Sequence, residues 1–209
     1  MTTTHRHITV LLAALLLPLC AKAGSGDDFG TWTAINLKGN ITEKLKAGFW
    51  FEMRTKDKCT SIDCFDILPS ISYDVLPFLE LGVGAELVDA RAFKEIGFRP
   101  YATIHLASGP LEFSLREMPF IEIYTNAPTT FTLRSSVKIT WAIPDTRITP
   151  YVNIELFTRS HWEKTRHYAG VDFGFGKRSS LDLFYMYYSF AGETAQRHLV
   201  GVTYNIKIR

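Results

Sequence analysis

From Phe131 to Trp141 the chain alternates apolar and polar residues, with Phe131, Leu133, Val137, Ile139 and Trp141 on one parity and Thr132, Arg134, Ser136, Lys138 and Thr140 on the other. A period of two is that of a strand with one greasy and one wet face. The same rhythm recurs in segments near 29–38, 44–55, 64–75, 78–89, 94–106, 110–123, 129–141, 148–159, 164–176, 180–190 and 196–208, and no stretch sustains a helical period. The pattern predicts an all-β protein. Its segments of about 10 to 13 residues exceed the usual soluble strand of about 5 or 6 and match the length that crosses a bilayer at a tilt.

The connections alternate as well. Short turns, such as Leu76-Pro77, Ser108-Gly109-Pro110, Ile143 to Arg147 and Gly176 to Ser180, carry Pro, Gly or Asp. Between them lie more polar links, including KDKCTSID, DARAFKE, TNAPTT, SHWEK and AGETAQ. Short turns at one end and longer loops at the other are the organisation of an antiparallel up-and-down transmembrane β-barrel. Such a barrel turns its apolar parity to lipid and its polar parity to the lumen, whereas a soluble barrel of lipocalin type turns the apolar parity inward. Aromatics near segment ends, including Trp32, Trp50, Tyr101, Trp141, Tyr151, Trp162 and the FYMYYSF run of Phe184 to Phe190, suit interfacial girdles and favour the membrane reading.

The N-terminus agrees with export. His5, Arg6 and His7 precede the apolar run Ile8 to Cys20 and then Ala21-Lys22-Ala23, which predicts a secretory signal peptide over residues 1–23 and a single barrel domain over 24–209. Cleavage removes Arg6 and Lys22 and no acid, so 23 bases against 21 acids become 21 against 21. A neutral chain gives no reason to expect nucleic acid as a partner. Cys59 and Cys64 remain in KCTSIDC, and in a secreted chain that pair is expected to form a disulfide clipping an outer loop. No ligand set for a metal or cofactor is visible.

The stretch DFGTWTAINLKGNITEKLKAGFWFEMR (Asp28 to Arg54), the PYVNIELF of Pro150 to Phe157 and the closing HLVGVTYNIK resemble a group of bacterial outer-membrane β-barrel proteins classed as a domain of unknown function. The resemblance implies a barrel in the outer membrane and transfers no functional residues. The closing strand, with Gly201, Tyr204, Ile206 and Ile208, also resembles the C-terminal signal recognised by the barrel-assembly machinery. Outer-membrane lipid and that machinery are the expected partners.

The polar parity supplies the candidate site. Arg54, Arg99, Arg116, Arg134, Lys138 and Arg159 are set against Asp66, Asp74, Glu80, Glu86, Glu112, Glu155 and Asp172 as an expected network of lumen charges. It would form a packed plug or line a small conduit. His105 lies on the same parity and is expected to be a hydrogen-bonding lumen residue. Enzyme chemistry would need a Ser, a His and an orienting group, for which Ser160, His161, Glu163 and His167 are the candidates for a lipid or peptide hydrolase. Eleven segments is odd, while single-chain bacterial barrels close with an even number, so 10 or 12 strands are expected. A bulge at Pro119 is expected to explain the parity break at Glu117.

Overall fold

The computed structural model describes residues 26–90, 93–125 and 127–208, and the signal peptide expected over 1–23 lies outside them. Eleven strands follow one another: β1 (Asp28–Asn40), β2 (Leu45–Lys56), β3 (Ser61–Leu76), β4 (Leu79–Ala90), β5 (Lys94–Ser108), β6 (Leu111–Tyr124), β7 (Thr130–Trp141), β8 (Ile148–Thr158), β9 (Trp162–Phe175), β10 (Ser179–Phe190) and β11 (Arg197–Ile208). Each pairs antiparallel with its neighbour in sequence, and the sheet closes where β1 meets β11. The fold is a closed, all-β barrel.

The expected 10 or 12 strands are corrected to eleven among the described residues. An up-and-down meander with an odd number of strands brings its first and last strands together pointing the same way, so the seam must be parallel. It runs in unbroken register from Asp28↔Arg197 to Gly39↔Ile208. Closure therefore places the start of β1 at the end bearing the longer loops and the end of β11 at the other.

Parity assigns the faces. Exposed Phe49, Phe65, Ile71, Leu81, Leu87, Ile96, Phe98, Leu106, Phe113, Ile123, Phe131, Val137, Val152, Ile154 and Val200 point outward on β2 to β8 and β11. Buried Glu52, Asp66, Arg99, Thr103, Thr132, Glu155, Arg166 and Thr203 point inward.

Interior space is filled from both sides. Trp32, Ala34, Tyr151, Phe184, Met186 and Leu199 form one buried cluster, and Met118, Phe120 and Phe157 another. Two glycines make room for it. A Cβ on Gly201 would lie 2.0 Å from the Phe184 ring, and one on Gly170 would lie 2.6 Å from the Tyr151 ring, so the aromatic on the neighbouring strand lies flat over bare backbone.

Three further expectations are corrected. Trp32, Trp50, Tyr101 and Tyr151 are interior residues rather than girdle residues, because each shares parity with inward neighbours such as Ala34, Glu52, Thr103 and Glu155. Pro119 makes no bulge: β5 and β6 keep one register from Phe98↔Ile121 to Ala102↔Glu117. That register sets Pro100 opposite Pro119, so two residues without an N–H share one gap in the ladder. Glu117 faces outward, where its carboxylate accepts a 2.6 Å hydrogen bond from the Ser135 hydroxyl across the β6–β7 pair.

The cysteine clip is absent, and both thiols are free. Asp57, Lys58 and Cys59 take left-handed backbone angles in succession, folding the turn over β1 so that the Cys59 N–H reaches the Phe29 carbonyl. Cys59 is thereby exposed at the rim, while Cys64 is buried on an inward position of β3 opposite Arg54.

Candidate functional site

The barrel interior gathers the charges. Arg54, Asp66, Asp74, Glu80, Glu86, Arg99, Glu112, Arg116, Arg134, Lys138, Glu155 and Asp172 all occupy inward parity, and Arg159, just past β8, reaches back over the wall to Glu122 at 3.5 Å. The alternation of the strands puts them there. They sort into three levels along the barrel.

The middle level is the densest. Arg99 is 2% exposed; it pairs with Glu86 and with Glu95 at 2.5 Å, and its guanidinium lies 3.8 Å from the centroid of the Phe120 ring. Glu155, also 2% exposed, accepts from Arg134, from Arg166 at 3.5 Å and from the Tyr168 hydroxyl at 3.0 Å. Arg166 also donates to the Tyr188 hydroxyl at 3.0 Å. Arg54 is held by Glu52 at 2.8 Å, and Glu52 accepts the Trp50 indole N–H at 2.6 Å. Arg54 and Arg166 both approach the Trp32 ring, at 5.0 and 5.3 Å, and Arg166 lies 4.7 Å from Phe157.

This level joins strands from around the barrel through one layer of guanidinium, carboxylate and ring. Desolvated guanidinium groups stack well on aromatic faces and pair with carboxylates through fixed donors. The layer fills the middle of the interior with buried side chains.

Toward the short-turn end the groups are more open. Lys46 bridges Asp74 at 2.7 Å and Glu80 at 3.0 Å, and Arg116 donates to Thr103 at 2.8 Å and stacks on Tyr101. Lys138 lies 3.9 Å from the Tyr151 ring, whose hydroxyl donates to Asp182 at 2.9 Å. Asp172 accepts from Ser180 at 2.7 Å, and Asn36 pairs with Asn205 across the parallel seam at 2.9 Å. His105 and Glu112 meet at 3.2 Å near the mouth. At the long-loop end Lys56, Asp63, Arg197 and Asp28 form a chain of pairs across the seam.

Glu52, Glu95, Glu122, Arg166 and Asp182 belong to this network although they were absent from the sequence-derived set. Their signal was present: Glu52 shares parity with Arg54, and Arg166 with Asp172. The hydrolase candidates, in contrast, do not converge. Ser160 and His161 touch at 3.0 Å as exposed neighbours in one turn, Glu163 holds Arg159 at 3.2 Å, and His167 faces outward against Tyr187. Among the described residues no group of three or more His, Cys, Asp or Glu is placed to hold a metal ion.

A family model described as Protein of unknown function (DUF2490) matches residues 29–198. No curated protein matches the chain.

Proposed function

Because the chain belongs to the DUF2490 family, whose function is unknown, we propose its role from geometry: it is an integral β-barrel of the bacterial outer membrane whose lumen is plugged at mid-height. The observation that carries this reading is the inverted distribution of polarity. Aliphatic and aromatic side chains cover the outside, with Leu106 60% and Ile154 51% exposed, while Arg99 and Glu155 are almost fully buried within. Soluble monomers rarely expose contiguous apolar patches beyond a few hundred Å². Lipid offers such a wall the apolar surroundings that water does not, at about 25 cal/mol per Å² covered. Closed barrels also satisfy every backbone group without an edge.

The lumen supports a structural role over a conduit. The Arg99, Arg134 and Arg166 layer is packed against Phe120 and Phe157 and paired with Glu86, Glu95 and Glu155, a filling that opposes the passage of water and ions. Secretion with cleavage near Ala23, insertion by the barrel-assembly machinery through the β11 strand and contact with outer-membrane lipid complete the proposal. Reconstituted in a planar bilayer, the purified barrel is expected to leave the conductance at that of the protein-free membrane. Stable ohmic steps from the wild-type protein would contradict the plug and favour a small-solute conduit.

A further inference from the structure

The outward face is aliphatic over most of the barrel, but one region departs from it. In the halves of β9, β10 and β11 nearer the long loops the outward positions include His167, Tyr185, Tyr187 and His198. His198 is 8% exposed although its parity is outward, because Tyr185 and Tyr187 flank its ring at 6.0 and 5.3 Å and Asp27 covers it from before β1.

A directed chain of hydrogen bonds runs through this group. The Gln196 backbone N–H donates to Asp27 Oδ1 at 2.8 Å, which fixes the carboxylate. Asp27 Oδ2 lies 3.2 Å from His198 Nε2. A carboxylate only accepts, so in the neutral imidazole the proton sits on Nε2 and Nδ1 can accept. The Tyr185 hydroxyl is 2.5 Å from that Nδ1, within reach to donate to it. An oxygen nucleophile, a base within hydrogen-bond reach and a third group orienting the base are the parts of an activated nucleophile. Neither a plug nor a membrane wall requires them.

We propose that Tyr185, His198 and Asp27 form a reactive site on the outer wall that cleaves carboxylic esters of membrane lipid. Tyr185 is half-buried, with Leu183 and Val200 continuing the apolar wall beside it. His198 is the second residue of β11 with Tyr187 opposite it, which sets the imidazole close to the long-loop rim, and ester carbonyls of lipids lie at the boundary between acyl chains and headgroups. In the reaction the Tyr185 oxygen bonds to the ester carbonyl carbon while its proton passes to His198 Nδ1. The tetrahedral intermediate collapses with cleavage of the bond to the alcohol oxygen, which leaves with that proton. Water then attacks the acyl-tyrosine, again giving a proton to His198, and the carboxylic acid departs as the phenol recovers it. Asp27 is a positioning residue that holds the imidazole tautomer.

The lipid substrate rests on the membrane reading, whereas the reactivity of Tyr185 does not, and the test separates them. Full-length mature barrel in detergent is treated with diisopropyl fluorophosphate, in which the Tyr185 oxygen displaces fluoride from phosphorus, and the modified residue is mapped by mass spectrometry. Modification at Tyr185 is expected, with loss in Tyr185→Phe, slowing by about 100-fold or more in His198→Asn, and no change in His161→Ala. Asp27→Asn is expected to lower kcat for fatty-acid release from phosphatidylcholine vesicles with KM unchanged. Should His198→Asn fail to fold, Tyr185→Phe, which removes one oxygen, decides alone. Absence of modification at Tyr185, or an equal rate in His198→Asn, overturns the site. Modification without fatty-acid release from vesicles overturns the lipid substrate.

Discussion

Replacing Glu155 by Leu is expected to lower the unfolding free energy of the barrel by about 3–5 kcal/mol, the cost of leaving buried charge without its partner. Glu155 is the acceptor shared by Arg134, Arg166 and Tyr168, all on the interior of β7 and β9 around it. Its removal leaves the Arg166 guanidinium, 8% exposed, without the carboxylate it pairs with at 3.5 Å. Glu155→Gln keeps an accepting oxygen of the same reach and is expected to cost less than Glu155→Leu. Urea titration of the two variants in lipid vesicles, followed by tryptophan fluorescence, checks the order. Equal stability of Glu155→Leu and the wild-type protein would show that the middle layer does not hold the barrel closed.

The second large effect belongs to the outer wall. Val137 lies on the outward face in the middle of β7, 49% exposed, between Leu115 and Ile154 on the neighbouring strands. In a bilayer, Val137→Arg places a guanidinium in hydrocarbon and is expected to cost about 2–4 kcal/mol. In water the same exposed substitution would fall within about 0.5 kcal/mol of the wild-type value. Reversible unfolding in phospholipid vesicles measures the difference. A change inside the smaller range would mean that lipid does not meet this face.

Much of this architecture was legible because a strand's faces are decided locally. The alternation of Phe131 to Trp141, or of Glu80, Gly82, Gly84 and Glu86 against Leu81, Val83, Ala85 and Leu87, needs no distant partner to define it. Period two set the strand positions within a few residues and put the charges on one face. Closure is different. Whether β1 meets β11 parallel or a further strand intervenes depends on the whole ring, and no residue of either strand signals it.

The other departures have local causes. Trp32, Trp50 and Tyr151 suggested a girdle by residue type, yet their parity already placed them beside Ala34, Glu52 and Glu155 inside. Cys59 and Cys64 are close in sequence, but three left-handed residues carry one to the rim while β3 turns the other inward. Pro119 looked like a disruption in isolation, and only the facing Pro100 shows how the ladder absorbs it. The Asp27, His198 and Tyr185 chain joins residues 158 and 171 positions apart from Asp27 only through the seam, so spacing could not reveal it.

The central claim is that the apolar face of this barrel meets the lipid of the outer membrane. Fractionation of the native protein, followed by electrophoresis of boiled and unboiled samples in detergent, tests it most directly. The account predicts recovery in the outer-membrane fraction and a mobility that shifts on boiling, as an intact barrel unfolds. Recovery as a monodisperse soluble protein in the periplasm or medium would contradict it.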